Sequence, residues 1–320
     1  MAIAAIVLLA VATFGYHMRS ANEPVESSVR GDANRPHSAA DESSNPCQND
    51  TPGHEEQATV EDRALFRHLS EQGGQLVDQN RVVGCDKLIE QLKQAKCELK
   101  LPAAKPIANN PVEIFKKAKD GVVVIGRLYK CKKCTKWHAA TASGFVITAT
   151  GAIVTNYHVV DDASKRTLVV MTADRRVFPV QQVLAASREN DLAILKVDAE
   201  NLTPLPIAPS DDSADVGSPV SVISHPANRF YCYTSGVVSR RARIRDKGAE
   251  IDALFITADY ARGSSGAPVL NDRGQVVGIV KSTDSIYYSV KDGQQQNLQM
   301  VFKICILSKS LHGLITTGSP

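Results

Sequence analysis

Gly263-Ser264-Ser265-Gly266-Ala267-Pro268 sets a serine between two glycines, and the chain behind it enters a short β-forming run, Pro268-Val269-Leu270. Glycine at 263 lets the backbone turn so that the amides of Gly263 and Ser265 address one point, the arrangement that holds a developing oxyanion. A serine hydroxyl is a weak nucleophile at neutral pH. It needs a base to take its proton, and the base needs a carboxylate to fix its tautomer. Both partners stand upstream. His158 lies in Thr155-Asn156-Tyr157-His158-Val159-Val160, at the end of the buried strand that Ile153 and Val154 imply. Asp191 opens Asp191-Leu192-Ala193-Ile194-Leu195-Lys196-Val197, which reads as a core strand starting at that carboxylate. Gaps of 33 and 74 residues put the three side chains on different strands of a large β-rich domain.

Taken singly, each stretch is ordinary. A buried histidine is usually structural, an aspartate often precedes a strand, and a Gly-Ser-Ser-Gly run is a common turn. The order His, Asp, Ser together with the three contexts carries the signal, because other triads run Asp-His-Ser or Ser-acid-His. The motifs resemble those of the trypsin-like (chymotrypsin-fold) serine proteases, closest to the HtrA/DegP-type protease domain. That group writes T-N-x-H-V-V, D-L-A-[IV]-L-[KR]-[IV] and G-N-S-G-G-P where this chain has residues 155–160, 191–197 and 263–268. Thr234 to Ser239 resembles the group's T-S-G-I-V-S strand, and Gly274 to Val280 the strand beside the specificity pocket; Ala267 stands where the group has glycine.

The resemblance spans residues 110–320 and implies an all-β fold. Two six-stranded antiparallel β-barrels are expected, with a short closing C-terminal helix over Cys305 to Ile315, a small helical region in front, and no PDZ module behind. It further implies catalytic roles for Ser265, His158 and Asp191, and an oxyanion hole from the amides of Gly263 and Ser265. Polypeptide substrates are expected to add a strand to the edge at Val280, Lys281 and Ser282. Asp259, six residues before the nucleophile, falls where the family places the base of the specificity pocket. A carboxylate there selects Lys or Arg, whereas HtrA-like domains prefer small apolar residues. Arg262 and Lys281 fall near the pocket entrance and are placed to pair with Asp259, leaving a small neutral pocket. No cofactor and no nucleic-acid partner is expected. The competing readings are a protease regulated by its helical region, and a trypsin-fold binding or chaperone-like module with little turnover.

The rest of the chain sets the surroundings. A net charge of +3 gives no case for nucleic acid. Residues 21–62 hold ten acidic and two basic side chains, so the remainder of the chain is basic, with clusters at Arg127, Lys130, Lys132, Lys133 and Lys136 and at Arg240, Arg241, Arg243, Arg245 and Lys247. Residues 1–20 read as a signal peptide or signal anchor, because Met1 to Tyr16 is apolar and uncharged. That reading implies export, with a membrane tether where the segment is kept. Residues 21–60 read as a disordered acidic linker, too poor in large apolar residues to offset ordering entropy. Residues 61–103 read as a helical region: Leu65, Phe66 and Leu69 on one helix broken by Gly73-Gly74, then Leu88, Leu92, Ala95 and Leu99 on a second. The protease domain is assigned to residues 104–320.

Seven cysteines, Cys47, Cys85, Cys97, Cys131, Cys134, Cys232 and Cys305, make an odd set. In an exported chain, disulfides are expected. Cys131-Lys132-Lys133-Cys134, with His138 four residues on, sits at the turn of the first hairpin. It fits a local disulfide first, with half a zinc site and two free thiols as alternatives. Cys85 and Cys97 are read as candidate staples of the helical region, to each other or to Cys47.

Overall fold

The computed structural model describes residues 59–162, 164–209, 215–246 and 248–316. The 1–20 segment, nearly all of the 21–60 linker and Cys47 lie outside them. Among the described residues no helix is long and apolar enough to cross a membrane. The described residues form one compact unit.

Three helices lead in: α1 (Asp62–Asp78), α2 (Cys85–Gln91) and α3 (Pro111–Ala118), with a two-residue strand β1 (Cys97–Glu98) before α3. The start of α3 is dictated by its sequence. The Asn110 side chain accepts the Glu113 amide at 3.0 Å, and Pro111 occupies the first helical position, where its missing N–H costs nothing. Six strands then close a first barrel: β2 (Val122–Lys130), β3 (Trp137–Val146), β4 (Ala152–Thr155), β5 (Thr167–Met171), β6 (Val177–Ser187) and β7 (Leu192–Val197), in the order β2-β3-β4-β7-β6-β5. The one-turn helix α4 (Tyr157–Val160) interrupts them after β4. Six more close a second barrel: β8 (Pro219–Ser224), β9 (Cys232–Asp246), β10 (Ala249–Ile256), β11 (Pro268–Asn271), β12 (Val276–Lys291) and β13 (Gln294–Leu307), in the order β10-β13-β12-β11-β8-β9. All pairings within the barrels are antiparallel. Closure leaves no free edges in the barrel walls. The fold is the expected pair of six-stranded barrels.

Near-continuous apolar strands such as Leu192-Ala193-Ile194-Leu195 are buried on both faces, one filling a barrel and the other turned to a neighbour. Phe145, Ile147, Val154 and Ile194 of the first barrel pack with Ile223, Leu270, Ile279 and Ile306 of the second in one shared core. Each such side chain contributes about 1.5–3 kcal/mol on burial, so the surface joining the barrels is a core in its own right.

Four readings of local structure are corrected. Gly73-Gly74 does not break α1, which runs on to Asp78. A Cβ at Gly73 would stand 2.8 Å from Leu128 Cδ1, and one at Gly74 would overlap the Trp137 ring. The glycines let the helix lie on the sheet, and tertiary packing outweighs their poor helix propensity. The second helix ends at Gln91, and Cys97-Glu98 pair in parallel with β14 (Ile315–Thr316) instead of continuing it. The closing helix α5 is only Ser308–His312, since Cys305 to Leu307 belong to β13. Finally, the described cysteines, Cys85, Cys97, Cys131, Cys134, Cys232 and Cys305, are free thiols, so no disulfide staples α2 or the first hairpin among the described residues. Packing replaces the staple. Cys85, Leu88 and Leu92 enter the core of the first barrel, and Leu65, Leu69, Leu76 and Val77 of α1 pack on Val124, Leu128 and Val169.

Candidate active site

His158 is carried by α4, whose Val159 and Val160 are anchored in the first-barrel core. The chain arrives there through buried Thr155 and Asn156. Thr155 Oγ1 donates to the Ser143 carbonyl at 2.8 Å, and Asn156 Nδ2 donates to the Asp191 carbonyl at 3.0 Å. The Tyr157 amide donates to that same carbonyl at 3.1 Å. Asp191 sits just before β7 with φ 52°, a left-handed conformation that aspartate tolerates better than most residues. Its carboxylate accepts twice from one residue, from the His158 amide at 3.0 Å and from His158 Nδ1 at 2.8 Å.

Burial of Asp191 by itself would raise its pKa. The hydrogen bond from His158, the imidazole charge and Lys281 outweigh that and hold the carboxyl below its usual range. The carboxyl is therefore ionised at neutral pH, and Nδ1 is the donor of the pair. Nε2 is left as the acceptor.

The serine turn is keyed to both barrels. Gly263 and Gly266 have φ of +102° and +85°, and a Cβ at Gly263 would stand 2.5 Å from the His225 carbonyl oxygen, so both positions require glycine. Ala267 is buried outside the left-handed region, and its methyl group is accommodated. From β3, the Ser143 amide donates to the Ser265 carbonyl at 2.9 Å and the Ser143 hydroxyl donates to the Gly263 carbonyl at 2.9 Å. From β12, the Val280 carbonyl accepts the Gly266 amide at 3.0 Å. Ser264 is fully buried and its hydroxyl is 2.9 Å from that of Ser224, whereas Ser265 is half-buried and lines the cleft. Among the described residues the amides of Gly263 and Ser265 donate to no protein acceptor.

A cleft of about 590 Å³ is bounded by His158, Gly263 and Ser265, and also by Arg127, Arg262 and Phe66. No hydrogen bond joins His158 to Ser265 among the described contacts, a looseness common in the absence of substrate. Of the remaining histidines, His225 is fully buried, accepts the Tyr231 amide at its Nδ1, and burial drives its pKa down to about 3. It is a fixed neutral ring.

The positions assigned to specificity are rearranged. Asp259 is 84% exposed and pairs with Lys303 at 3.2 Å, so it forms no buried pocket base. Asp259 lies in the segment after β10 has ended, and it is its neighbour Tyr260 that points inward and donates to the Ser282 and Ile304 carbonyls. Lys281 is not at a pocket entrance. Its side chain is 6% exposed, with Nζ 3.7 Å from Asp191 Oδ2 and 2.8 Å from Asp246 Oδ2, close in charge but without hydrogen-bond alignment. Val280 offers no free edge, since its amide donates to Ala267 and its carbonyl accepts from Gly266. Beyond it, exposed Ser282 pairs only with β13. Arg262 is exposed in the cleft wall. Cys131, Cys134 and His138 come together at the β2–β3 hairpin tip and none of them lines this cleft.

Sequence reasoning missed Ser143, Asp246 and Phe66. None has a local motif; each reaches the site only through the tertiary fold.

With that geometry in place, residues 142–279 match the trypsin-like peptidase domain. A putative serine protease, HhoA, of Synechocystis is 38% identical over 151 residues, 44% of this chain and 36% of that protein. A probable periplasmic serine endoprotease of DegP type from Halomonas elongata is 37% identical over 139 residues, 43% of this chain and 28% of its own length. The chain therefore spans about a third of the length of these curated relatives. Among solved structures, an HtrA-type protease, AlgW, with a decapeptide superposes with a TM-score of 0.51 at 21% identity, over 63% of this chain and 65% of that one. That likeness is one of fold.

Proposed function

We propose that this chain is a serine endopeptidase that hydrolyses polypeptides through an acyl-enzyme. The observation that carries this reading is the Asp191–His158 pair at 2.8 Å in one cleft with Ser265 and two undonated amides. Ser265 Oγ attacks the scissile carbonyl while His158 Nε2 takes its proton and passes it to the leaving amine. Asp191 stays ionised and stabilises the imidazolium. The amides of Gly263 and Ser265 hold the oxyanion, worth about 3 kcal/mol per donor. The substrate backbone adds as a strand to β12 from Ser282 onward, where only one side of the strand is paired. The apolar segment at residues 1–16 and the periplasmic setting in the relatives' names support export, with the segment either removed or kept as a membrane tether.

The test is covalent labelling by a fluorophosphonate probe, followed by cleavage-site profiling on a denatured protein mixture. Stoichiometric labelling at Ser265 with peptide cleavage is expected. An unlabelled, inert protein with an intact fold would instead favour the binding-module reading. One observation favours regulation through the helical region: Phe66 of α1 lines the same cleft as His158 and Ser265. On that reading Phe66→Ala raises the peptidase rate, and an unchanged rate removes α1 from control of the cleft.

A further inference from the structure

The β2–β3 hairpin tip gathers three metal-binding side chains that the peptidase chemistry does not use. Cys131 Sγ is 3.4 Å from Cys134 Sγ, and Cys134 Sγ is 3.0 Å from His138 Nε2. All three donor atoms lie within 4.8 Å of one another. The two sulfurs are far outside the bonding distance of about 2.05 Å in a disulfide. Bonds of about 2.3 Å to sulfur and 2.0–2.1 Å to nitrogen around a tetrahedral ion set donors about 3.5–3.8 Å apart. The Cys131–Cys134 and Cys134–His138 pairs need to open by about 0.4–0.5 Å, and side chains on a turn accommodate that adjustment.

The surroundings suit thiolates and hold the imidazole. Lys130, Lys132, Lys133 and Lys136 place four cations on the same turn. His138 pairs with Tyr129 across the hairpin and stacks on its ring, with centroids 5.6 Å apart. The base of the tip is fixed independently of any ion, by Lys130 over the Trp137 ring and by Trp137 Nε1 donating to Asp78 of α1 at 3.1 Å.

We propose that Cys131, Cys134 and His138 bind one zinc ion at the hairpin tip, with water as the fourth ligand. Two thiol protons leave to solvent as the ion binds, so two thiolates and one divalent cation form a neutral centre with a neutral imidazole. Zinc fits better than the harder divalent cations because two of the three donors are sulfur. The site clips the tip of the hairpin beside the end of α1. It stands apart from the reacting serine, and its occupancy is read without any activity measurement.

The test uses the full chain, purified under reducing conditions with zinc present and then dialysed. Elemental analysis should return one zinc per chain, and cobalt substitution should give the visible absorption of a tetrahedral thiolate complex. Cys131→Ser and His138→Gln should each lower the bound zinc at least tenfold while far-UV circular dichroism stays native. Cys232→Ser, a thiol on β9, should leave it at one. Wild-type protein that retains less than about a tenth of an ion per chain overturns the proposal. So does zinc that persists in both ligand variants, or a Cys131–Cys134 disulfide recovered from protein purified under those conditions.

Discussion

Replacing Lys281 by methionine is predicted to move the acid limb of the peptidase pH–rate profile upward. Nζ is 3.7 Å from Asp191 Oδ2, and that oxygen is 2.8 Å from His158 Nδ1, so the ammonium lies within about 6.5 Å of the imidazole. A unit charge at that distance opposes protonation of the dyad by roughly 0.6 kcal/mol in a water-like dielectric and about 2.6 kcal/mol at an effective dielectric of 20. These bounds correspond to shifts of about 0.5 to 2 pH units. The partly exposed imidazole favours the lower half of that range. The limb belongs to the His158–Asp191 pair as a unit. The other charges near it are Asp246 behind Lys281 and the guanidinium groups of Arg127 and Arg262 along the cleft, none of which the substitution alters. Asp246→Asn is the control of opposite sign, because it leaves the ammonium uncompensated and moves the limb down. The assay is kcat/KM for a peptide substrate between pH 4.5 and 9 for wild type and both variants. Equal shifts in the same direction, or no shift with Lys281→Met at native stability, would refute the electrostatic coupling.

Three other outcomes are expected. Ser265→Ala should abolish fluorophosphonate labelling with a change in unfolding free energy within about 0.5 kcal/mol, because the cleft-lining hydroxyl has no protein partner among the described residues, while Ser264→Ala should keep its labelling but lose about 1–3 kcal/mol, because it leaves the buried Ser224 hydroxyl unpartnered; denaturant titration separates the two. Gly74→Ala should destabilise by about 1–3 kcal/mol through overlap with Trp137, and a gain in stability would contradict the close approach of α1 to the sheet. Asp259→Asn should leave the residue preference in cleavage profiling unchanged because the side chain is exposed; loss of a Lys or Arg preference would return it to the specificity pocket.

What the sequence made legible was local. His158, Asp191 and Ser265 each carry enough neighbouring context to be found one motif at a time, and the two barrels were implied by the resemblance those motifs carry. The structure brings His158 and Asp191 into contact and Ser265 into the same cleft. What stayed illegible depended on residues far apart in the chain. Lys281 meets Asp246 only because the β9–β10 hairpin ends beside it, and nothing near either residue signals the pair. Gly73-Gly74 has the composition of a break, yet acts as a contact surface whose partner, Trp137, lies more than sixty residues on. Asp259 was placed by counting back from Ser265, and counting does not say which way a side chain turns in the irregular segment after β10. At Cys131 and Cys134 the spacing admits a disulfide, a metal or free thiols, and only distance separates these cases.

Strand β3 joins two things that would otherwise be remote. Near its start it carries Trp137 and His138, and six positions from its first residue Ser143 grips the carbonyls on either side of the nucleophile loop. At about 3.3 Å per residue, His138 and Ser143 stand about 17 Å apart on one ribbon paired throughout with β2. Such a ribbon behaves as a ruler. A force that tilts its outer end arrives at the serine loop as a change of angle between two peptide groups, with no mobile loop in between to absorb it. Grip on the hairpin tip and aim of the hydroxyl are thereby two readings of the orientation of a single strand.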